Sequence, residues 1–406
     1  MFKKNYLILL GTVIEAYDTF IFILLFPIFS PLFFNKSEPQ FQLLLATCTF
    51  LFSYFGRPIG ALLFGHFGDR FGRCIALSVS IILISTTNIL IAFLPTYSSI
   101  GITAPGLLIL YRIVQGICYG GEVSGAGVYI VENADEKVLN KSASLTNLAV
   151  LIGGIIAKVV AFLIFQQSEN TYLWRFTFFM SACFGIIGYY LRKGLYENNN
   201  EPKIKSLSVR WPILLLAQEY KLNFIVVVIL STLILLPFLS AFYYIPHTIS
   251  TISQPIEDIL LMSISIPVLL VMTFCADRFG MYRILFISFF IFIGLILPLI
   301  YYISINNDRN MLFFIKLSLF FMWSLNVGPI NIIGINLFPR NIRYTAVSFS
   351  CACGVLLSSI LAIFMWTSAT LYLKYIPIFI IITGYCLSFY ILDKKRSITR
   401  EELARF

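Results

Sequence analysis

The sequence predicts an all-α membrane protein whose twelve transmembrane helices form two pseudo-symmetric six-helix bundles. Hydrophobic residues make up 59% of the chain and charged residues only 12%, a balance that a soluble domain does not show. Apolar stretches that could cross a hydrocarbon core of ~30 Å as helices recur along the whole chain. A short motif also repeats half a chain apart. Because lipid offers the backbone no hydrogen-bond partners, the apolar stretches must be helical.

The apolar stretches locate the predicted helices. The first follows Lys3 and Lys4, but its apolar run is much longer than the ~7–15 residues of a signal-peptide core. We therefore expect it to be retained as a transmembrane helix. The twelve predicted spans are 7–33, 41–66, 74–94, 104–131, 143–166, 172–191, 222–247, 257–276, 284–304, 311–337, 344–366 and 371–392.

The net charge of +10 is unevenly distributed along the chain. Most Lys and Arg residues lie in one alternate set of loops and in the two tails, which fits the positive-inside rule with both termini in the cytoplasm. We therefore expect a multi-pass protein of a bacterial inner membrane, with the lipid bilayer and not nucleic acid as its partner. The eight cysteines lie in or beside apolar spans, so we assign them to packing and predict no metal site and no cofactor.

The longest polar connection divides the chain into two sets of six spans. We predict an N-terminal bundle of residues 1–191, a cytoplasmic linker of residues 192–221, and a C-terminal bundle of residues 222–406 that ends in a short cytoplasmic tail. The motif Asp-Arg-Phe-Gly at 69–72 recurs at 277–280, each time after an even-numbered span. Two halves of the same orientation would place a substrate site between them near the membrane midplane.

Several segments carry a family resemblance. Residues 65–73 (GHFGDRFGR) resemble the loop signature of the major facilitator superfamily. Other segments resemble its metabolite:proton symporter branch, and proline/betaine transporters in particular: GTVIEAYD at 11–18, RPIG at 57–60, RIVQG at 112–116, GGE at 120–122, WR at 174–175 and FPRNIRY at 338–344. The resemblance implies the major facilitator fold and a secondary active transporter, not an enzyme, that moves a small polar metabolite together with protons.

The sequence departs from the family pattern at several positions. Ala16 stands where Trp is usual, Asn147 where an acid is common, and Lys158 where a small residue is expected. Met281 replaces an Arg of the second loop signature. The long charged C-terminal extension of some osmosensing relatives is also missing, so we do not expect osmotic activation through such a segment.

Charged residues within the spans require an explanation, because placing a charged side chain at the centre of a transmembrane helix costs ~2.5–3.5 kcal/mol of insertion free energy. They fall almost entirely in the first half of the chain, and predicted spans 7 to 12 have none near their centres. A rise of ~1.5 Å per residue places Glu15, Arg57 and Glu122 on the cytoplasmic side of the midplane, where they could meet. The same estimate places Arg112 and Lys158 on the outer side, at a depth where we expect no acid.

These charges suggest roles in transport. Glu15 and Asp18 share a helix face, and two crowded carboxylates suit a proton carrier, so we assign proton coupling to them and to Glu122. Residues spaced three or four apart on span 4 form one stripe that we expect to face the central cavity, ending in Glu122. The predicted substrate-binding residues are Arg112, Gln115, Tyr119 and Lys158, and Arg57 completes the charge network. The alternative is a set of buried ion pairs that only orient helices.

The loop signature predicts a cytoplasmic gate. A carboxylate at position 69 could accept hydrogen bonds or meet the positive N-terminus of a neighbouring helix. The alternative is that the basic residues of the loop only fix topology. The predicted gate residues are Gly65, Asp69, Arg70, Gly72, Arg73, Asp277 and Arg278.

Other residues have simpler explanations. Gly116, Gly120, Gly121 and Gly125 permit close helix packing. Aromatic side chains of the second half could hold a quaternary ammonium or imino acid cation, although core roles are an alternative: Tyr243, Tyr244, Trp323 and Trp366.

The leading prediction is proton symport of a proline/betaine-type zwitterion or a carboxylate by a monomer. One alternative is a proton-independent carboxylate facilitator or exchanger that uses Arg112 and Lys158 as its anion site. Another is a carrier-like sensor that binds without transport. A membrane-embedded enzyme is disfavoured, because the loops are short and contain no nucleotide motif, metal set or nucleophile triad.

Overall fold

A computed structural model describes residues 2–34, 39–135, 138–166, 172–198, 212–241, 255–296, 298, 309–367, 379, 381–387 and 389–390. Over these ranges the regular structure is helical, and no strand occurs within them. The predicted all-α class is confirmed.

Within the described residues, the first half of the chain contains eight helices. They are α1 (Phe2–Phe33), α2 (Pro39–Phe71), α3 (Arg73–Ala92), the short α4 (Tyr97–Ile100), α5 (Thr103–Tyr119), α6 (Glu122–Glu132), α7 (Leu139–Gln166) and α8 (Leu173–Asn198). Predicted span 4 is thus two helices, α5 and α6, that meet at Gly120 and Gly121.

The second half begins with α9 (Pro212–Glu219). It continues with α10 (Lys221–Leu239), α11 (Pro255–Phe279), α12 (Met281–Ile291) with its π-helical extension Phe292–Ile296, α13 (Arg309–Asn336) and α14 (Arg343–Thr367). Predicted span 12 is described only in part, and residues 381–387 of it are helical.

Seven of the described helices are long and apolar enough to cross a membrane, judged by length and composition. They are α1, α3, α7, α10, α11, α13 and α14. The boundary between the halves differs from the prediction. The linker was predicted to start at residue 192, but α8 continues to Asn198, and Arg192 is fully buried. Residues 199–211 of the predicted linker lie outside the described ranges.

The repeated Asp-Arg-Phe-Gly motif forms the same turn twice. Gly72, between α2 and α3, has φ 111°, and Gly280, between α11 and α12, has φ 90°. A residue with a side chain rarely adopts these angles, which explains glycine at the end of both motifs. The two copies therefore have equivalent local structures as well as equivalent sequences.

Helices of opposite halves pack against each other in two main pairs, α2 with α14 and α7 with α11. Gly65 permits the first contact, because a Cβ atom there would lie 2.6 Å from the Cα atom of Thr345. The central cavity lies between these contacts.

Within the first half, glycines bring α2 and α5 into backbone contact. A Cβ atom on Gly116 would lie 1.9 Å from the carbonyl oxygen of Ser53, and one on Gly60 would lie 1.7 Å from that of Ile117. Gly120 approaches the backbone of Arg57 in the same way. The assignment of Gly116 and Gly120 to packing agrees with this geometry, and the close contact fixes the α2 segment that carries Arg57.

We predict that Gly116→Ala destabilises the protein, because the added methyl group must push two backbones apart. Overpacking of this kind costs about 1–3 kcal/mol. The matched control is Gly106→Ala in the same helix, where a Cβ atom would meet open space. In thermal unfolding of detergent-purified protein, Gly116→Ala should lower Tm by several degrees and Gly106→Ala should not. Equal Tm values for the two variants would contradict the packing assignment.

Candidate transport site

A cavity of about 160 Å³ lies between the two halves. The first half contributes a polar wall from α1, α2, α5, α6 and α7: Glu15, Thr19, Tyr54, Arg57, Tyr119, Ser124, Thr146 and Asn147. The second half contributes a mainly apolar wall from α10, α13 and α14, which includes Val227, Leu230, Ile234, Phe238, Trp323, Ile330 and Val347. The cavity therefore offers different chemistry on its two sides.

Glu15 and Arg57 form an ion pair on the polar wall. Glu15 Oε1 lies 3.4 Å from Arg57 Nη1, and the two side chains are 3% and 13% exposed. The guanidinium lies over the rings of Tyr54 and Tyr119, with its carbon 4.5 and 5.5 Å from the ring centres. The second carboxylate oxygen, Oε2, accepts no hydrogen bond from the described residues. A proton or a ligand donor could bind that oxygen without displacing a protein partner.

Asp18 lies behind the cavity wall, one helical turn further along α1. Ser181 Oγ donates a hydrogen bond to its Oδ1 atom, and Asn88 Nδ2 donates to Oδ2 at 2.6 Å. Tyr119 Oη, 3.4 Å away, donates to the same Oδ2 atom. Since Tyr119 also lines the cavity, it connects Asp18 with the space where Glu15 lies.

Arg112 and Gln115 do not line the cavity. Arg112 is fully buried, its Nη1 atom donates to Gln115 Oε1 at 2.7 Å, and its guanidinium lies 3.9 Å from the ring centre of Phe22. Gln115 Nε2 donates to Asn88 Oδ1 at 2.6 Å, which joins this pair to Asp18. Of the predicted stripe on span 4, only Tyr119 faces the cavity. The prediction for the stripe is wrong because α5 directs its polar face toward α1 and α3, inside its own half.

Glu122 pairs with Arg192, not with Arg57. Glu122 Oε1 lies 2.5 Å from Arg192 Nη2, and Ser80 Oγ donates to Oε2 at 2.6 Å. Arg192 also donates to the backbone carbonyl groups of Ile8 and Leu77. This fully buried cluster joins α1, α3, α6 and α8 and lies off the cavity wall. The expected meeting of Glu122 with Glu15 and Arg57 is wrong, because Arg192, which we had placed in the linker, supplies the partner.

Lys158 has an acidic partner in the opposite half. Its Nζ atom lies 2.8 Å from Asp258 Oδ2, and Lys316 Nζ lies 3.0 Å from Asp258 Oδ1. We expected no acid at this depth, and that expectation is wrong, because Asp258 enters from the first turn of α11. Lys158 does not line the cavity.

The two loop aspartates cap helices of the opposite half. Asp69 accepts hydrogen bonds from the backbone N–H groups of Tyr344 and Thr345 and from Thr345 Oγ1, at 3.1, 2.8 and 2.7 Å. Asp277 accepts from the backbone N–H and side-chain amide of Asn140, at 3.0 and 2.7 Å. These donors lie in the first turns of α14 and α7, where the helix dipole favours a carboxylate. The geometry is that of a reciprocal latch between the halves.

The basic residues of the loop signature have separate surroundings. Arg73 forms an ion pair with Glu132 at the end of α6, and Arg343 of the second half approaches the same carboxylate at 2.8 Å. Arg70 and Arg278 are exposed, and each lies over the phenylalanine that follows it in the chain. Arg73 Nη2 also donates to the backbone carbonyl of Arg340 at 3.3 Å. Of the predicted basic gate residues, it is therefore the one that these contacts join to the opposite half.

One predicted aromatic residue of the second half reaches the cavity. Trp323 lines it and packs against Phe238, with ring centres 5.1 Å apart. The predicted positions Tyr243 and Tyr244, and the side chain of Trp366, lie outside the described part of the chain.

Comparisons with known proteins agree with this architecture. The "Inner membrane metabolite transport protein YhjE" of Escherichia coli K12 is 30% identical over 370 residues, which cover 84% of this chain and 82% of that protein. The "Proline/betaine transporter" of Salmonella typhimurium LT2 is 33% identical over 192 residues, which cover 46% of this chain and 38% of that protein.

A solved structure of "the MFS (major facilitator superfamily) proton:xylose symporter XylE" shares the fold. It superposes with a TM-score of 0.76 at 17% identity, over 95% of this chain and 93% of that one. The XylE structure from E. coli described as partially occluded inward open gives a TM-score of 0.71 at the same identity, over 96% and 97% of the two chains. The family model "Major Facilitator Superfamily" matches residues 8–360. The chain belongs to the Major Facilitator Superfamily and is a membrane transporter of metabolites.

Proposed function

We propose that this transporter takes up a small metabolite that carries a carboxylate, in symport with protons, by alternating access. The substrate is a proline/betaine-type zwitterion or a simple carboxylate. The protein acts as a monomer in a bacterial inner membrane, with both termini in the cytoplasm. The Glu15–Arg57 ion pair on the cavity wall is the observation on which this proposal mainly rests.

The ion pair supports coupling because both of its members can change partners. In a low-dielectric cavity an unpaired charge is costly, so Arg57 needs an anion at every step. When a proton neutralises Glu15, Arg57 loses its anion and can bind a substrate carboxylate in its place. When the substrate leaves, Glu15 must lose its proton to pair with Arg57 again. Proton and substrate therefore move together.

Asp18 supplies a second proton position one turn from Glu15. Tyr119 borders the cavity and also donates to Asp18, so a proton could pass between the two carboxylates along this face of α1. Among the described residues that line the cavity, Glu15 is the one acid. We therefore assign the first protonation to Glu15 and a relay role to Asp18.

The opposite wall supports a substrate with an apolar body. Phe238 and Trp323 present aromatic surface there, and aliphatic side chains cover most of the remainder. An aromatic face can hold a quaternary ammonium or imino acid cation while the carboxylate binds Arg57. The similarity to proteins named as proline/betaine transporters is in keeping with this substrate class.

We predict that Glu15→Gln abolishes accumulation driven by a proton gradient, because glutamine cannot gain or lose the coupled proton. Counterflow exchange of substrate should persist, since Arg57 then remains available to a carboxylate throughout. A thermal-shift screen of L-proline, glycine betaine, α-ketoglutarate, citrate and shikimate selects the substrate. Uptake into proteoliposomes then tests the variant. Accumulation equal to that of the wild type would contradict the coupling role of Glu15.

Glu122→Gln is the matched control for that experiment. It removes one member of a fully buried ion pair, a change that typically costs about 3–5 kcal/mol. We expect lower Tm and lower yield, while the folded fraction still accumulates substrate when the gradient is imposed. Loss of coupling in a well-folded Glu122→Gln protein would restore the original assignment of Glu122 to proton coupling.

A second prediction separates the two candidate substrate arginines. Arg57→Lys should raise KM about tenfold, because lysine loses the planar pair of donors that matches a carboxylate and that contributes about 1.5–3 kcal/mol. Arg112→Lys should leave KM within about twofold, because Arg112 contacts Gln115 and Phe22, away from the cavity. Initial uptake rates over a range of substrate concentrations measure both values. The opposite order of effects would assign the substrate carboxylate to Arg112.

A third prediction tests the latch. Asp69→Asn weakens the charged cap on α14, so the cytoplasmic side should open more often. Cys351 lines the cavity, and its alkylation by N-ethylmaleimide added from the cytoplasmic side should then accelerate several-fold. The control is Asp135→Asn, an exposed residue of a neighbouring loop. Unchanged labelling of Cys351 in Asp69→Asn, localised by peptide fragmentation, would contradict the latch.

A further inference from the structure

Helices α7 and α11 are joined by polar contacts at two separate positions along their length. At one end, Asn140 of α7 donates to Asp277 of α11, and at the other, Lys158 of α7 holds Asp258 of α11. At ~1.5 Å per residue, the two contacts are ~27 Å apart along α7, close to the thickness of the hydrocarbon core. The α7 residues that line the cavity lie between them, at 143, 146, 147 and 150. The Lys158 contact is therefore on the far side of the cavity from the loop latch.

The far contact has the geometry of a carboxylate-binding site. Two ammonium groups hold one carboxylate, one on each oxygen, at 2.8 and 3.0 Å. All three side chains are largely buried, with exposures of 3% for Lys158, 3% for Asp258 and 11% for Lys316. Charge-assisted bonds of this length in a mainly apolar setting are strong. Asp258 occupies the position that a carboxylate ligand would take.

The three members do not belong to the same half. Asp258 and Lys316 lie on α11 and α13 of the second half, whereas Lys158 lies on α7 of the first. When the halves part at this end, Asp258 keeps Lys316 as its partner and Lys158 loses the carboxylate that it holds. Opening therefore removes the Asp258 carboxylate from Lys158, while Asp258 keeps a cationic partner.

We propose that Lys158 forms an outer carboxylate-capture site, and that Asp258, held by Lys316, occupies this site as an internal ligand while the outer side is closed. The inference rests on the proposed function for its outward-facing state and its carboxylate substrate. An incoming carboxylate binds Lys158 in the open vestibule before it reaches Arg57. Closure returns Asp258 to Lys158, displaces the carboxylate and leaves it free to move to the cavity. Selection for an anionic group thus begins outside the central cavity.

The test uses a thiol probe one turn from Lys158 and needs no known substrate. Ala161→Cys places a thiol on the same face of α7. In reconstituted protein it reacts with the anionic sulfonatoethyl methanethiosulfonate and the cationic trimethylammonioethyl methanethiosulfonate, and peptide mass spectrometry reads the modification at position 161. The ratio of the anionic to the cationic labelling rate reports the local charge at position 161. A change of the same factor in both rates reports how often this end of the protein opens.

The two members of the ion pair should act in opposite directions. Adding Lys158→Gln should lower the anionic-to-cationic rate ratio by about fivefold, and adding Asp258→Asn should raise it by a similar factor, as expected for one charge at this range. Lys158→Arg should keep the ratio of the parent. Both variants also break a closing contact, so a common rise in the two rates is expected in either case. An unchanged ratio in both variants, or KM values that move in the same direction in both, would overturn the capture site.

Uptake measurements separate this inference from the proposed function. With the substrate chosen by the thermal-shift screen, Lys158→Gln should raise KM about tenfold and Asp258→Asn should lower it. If wild-type protein transports none of the five compounds, the proposed function fails, while the labelling ratios still decide the charge of the outer site. If transport occurs but the ratios do not diverge, the capture site fails and the proposed function stands.

Discussion

The constraint on which this structure depends is the cost of an unpaired charge in a low-dielectric interior. Three buried ionic groups meet it in three different ways. Glu122 and Arg192 pair within one half, and their hydrogen-bond partners Ser80, Leu77 and Ile8 belong to the same half. Glu15 and Arg57 pair at the edge of the cavity, and Lys158, Asp258 and Lys316 pair across the halves. The Glu15–Arg57 pair lines the cavity and the Lys158 group spans the halves, so both could exchange partners when a ligand binds or the halves move, and we propose that transport and charge are coupled there.

The two halves share architecture but differ in chemistry. Their loop motifs form the same turn, and each motif caps a helix of the other half, so we propose that the repeat closes the carrier symmetrically. The interior of the first half contains Asp18, Arg112, Glu122 and Arg192. The described interior of the second half instead has a neutral network, in which Ser288, Asn326 and Tyr385 exchange hydrogen bonds of 2.7 to 2.8 Å. We therefore propose that the first half handles the proton, while the second half supplies the mainly apolar wall.

Sequence reasoning found the helices, the repeat and the Glu15–Arg57 contact, because hydropathy and rise per residue determine where a residue lies along the membrane normal. It failed where the rotation of a helix about its own axis determines which residue a side chain contacts. Depth alone placed Glu122 beside Glu15, but the break at Gly120 and Gly121 starts a new helix there. Arg192 and Asp258 were missed because both lie close to predicted span ends, where charges are ordinarily solvated. Asn88 and Ser181, the partners of Asp18, are polar but uncharged and gave no signal.

The most direct test of the coupling account is the proton flux that accompanies substrate entry in the absence of any imposed gradient. Wild-type protein is reconstituted into proteoliposomes in a weakly buffered medium, and valinomycin with potassium prevents a membrane potential from building up. Substrate is then added outside, and a pH electrode records the pH of the medium. Exchange of Glu15 for a substrate carboxylate at Arg57 requires a proton to enter with each substrate, so the medium should become alkaline at a rate that tracks uptake. Substrate uptake without alkalinisation would contradict the account.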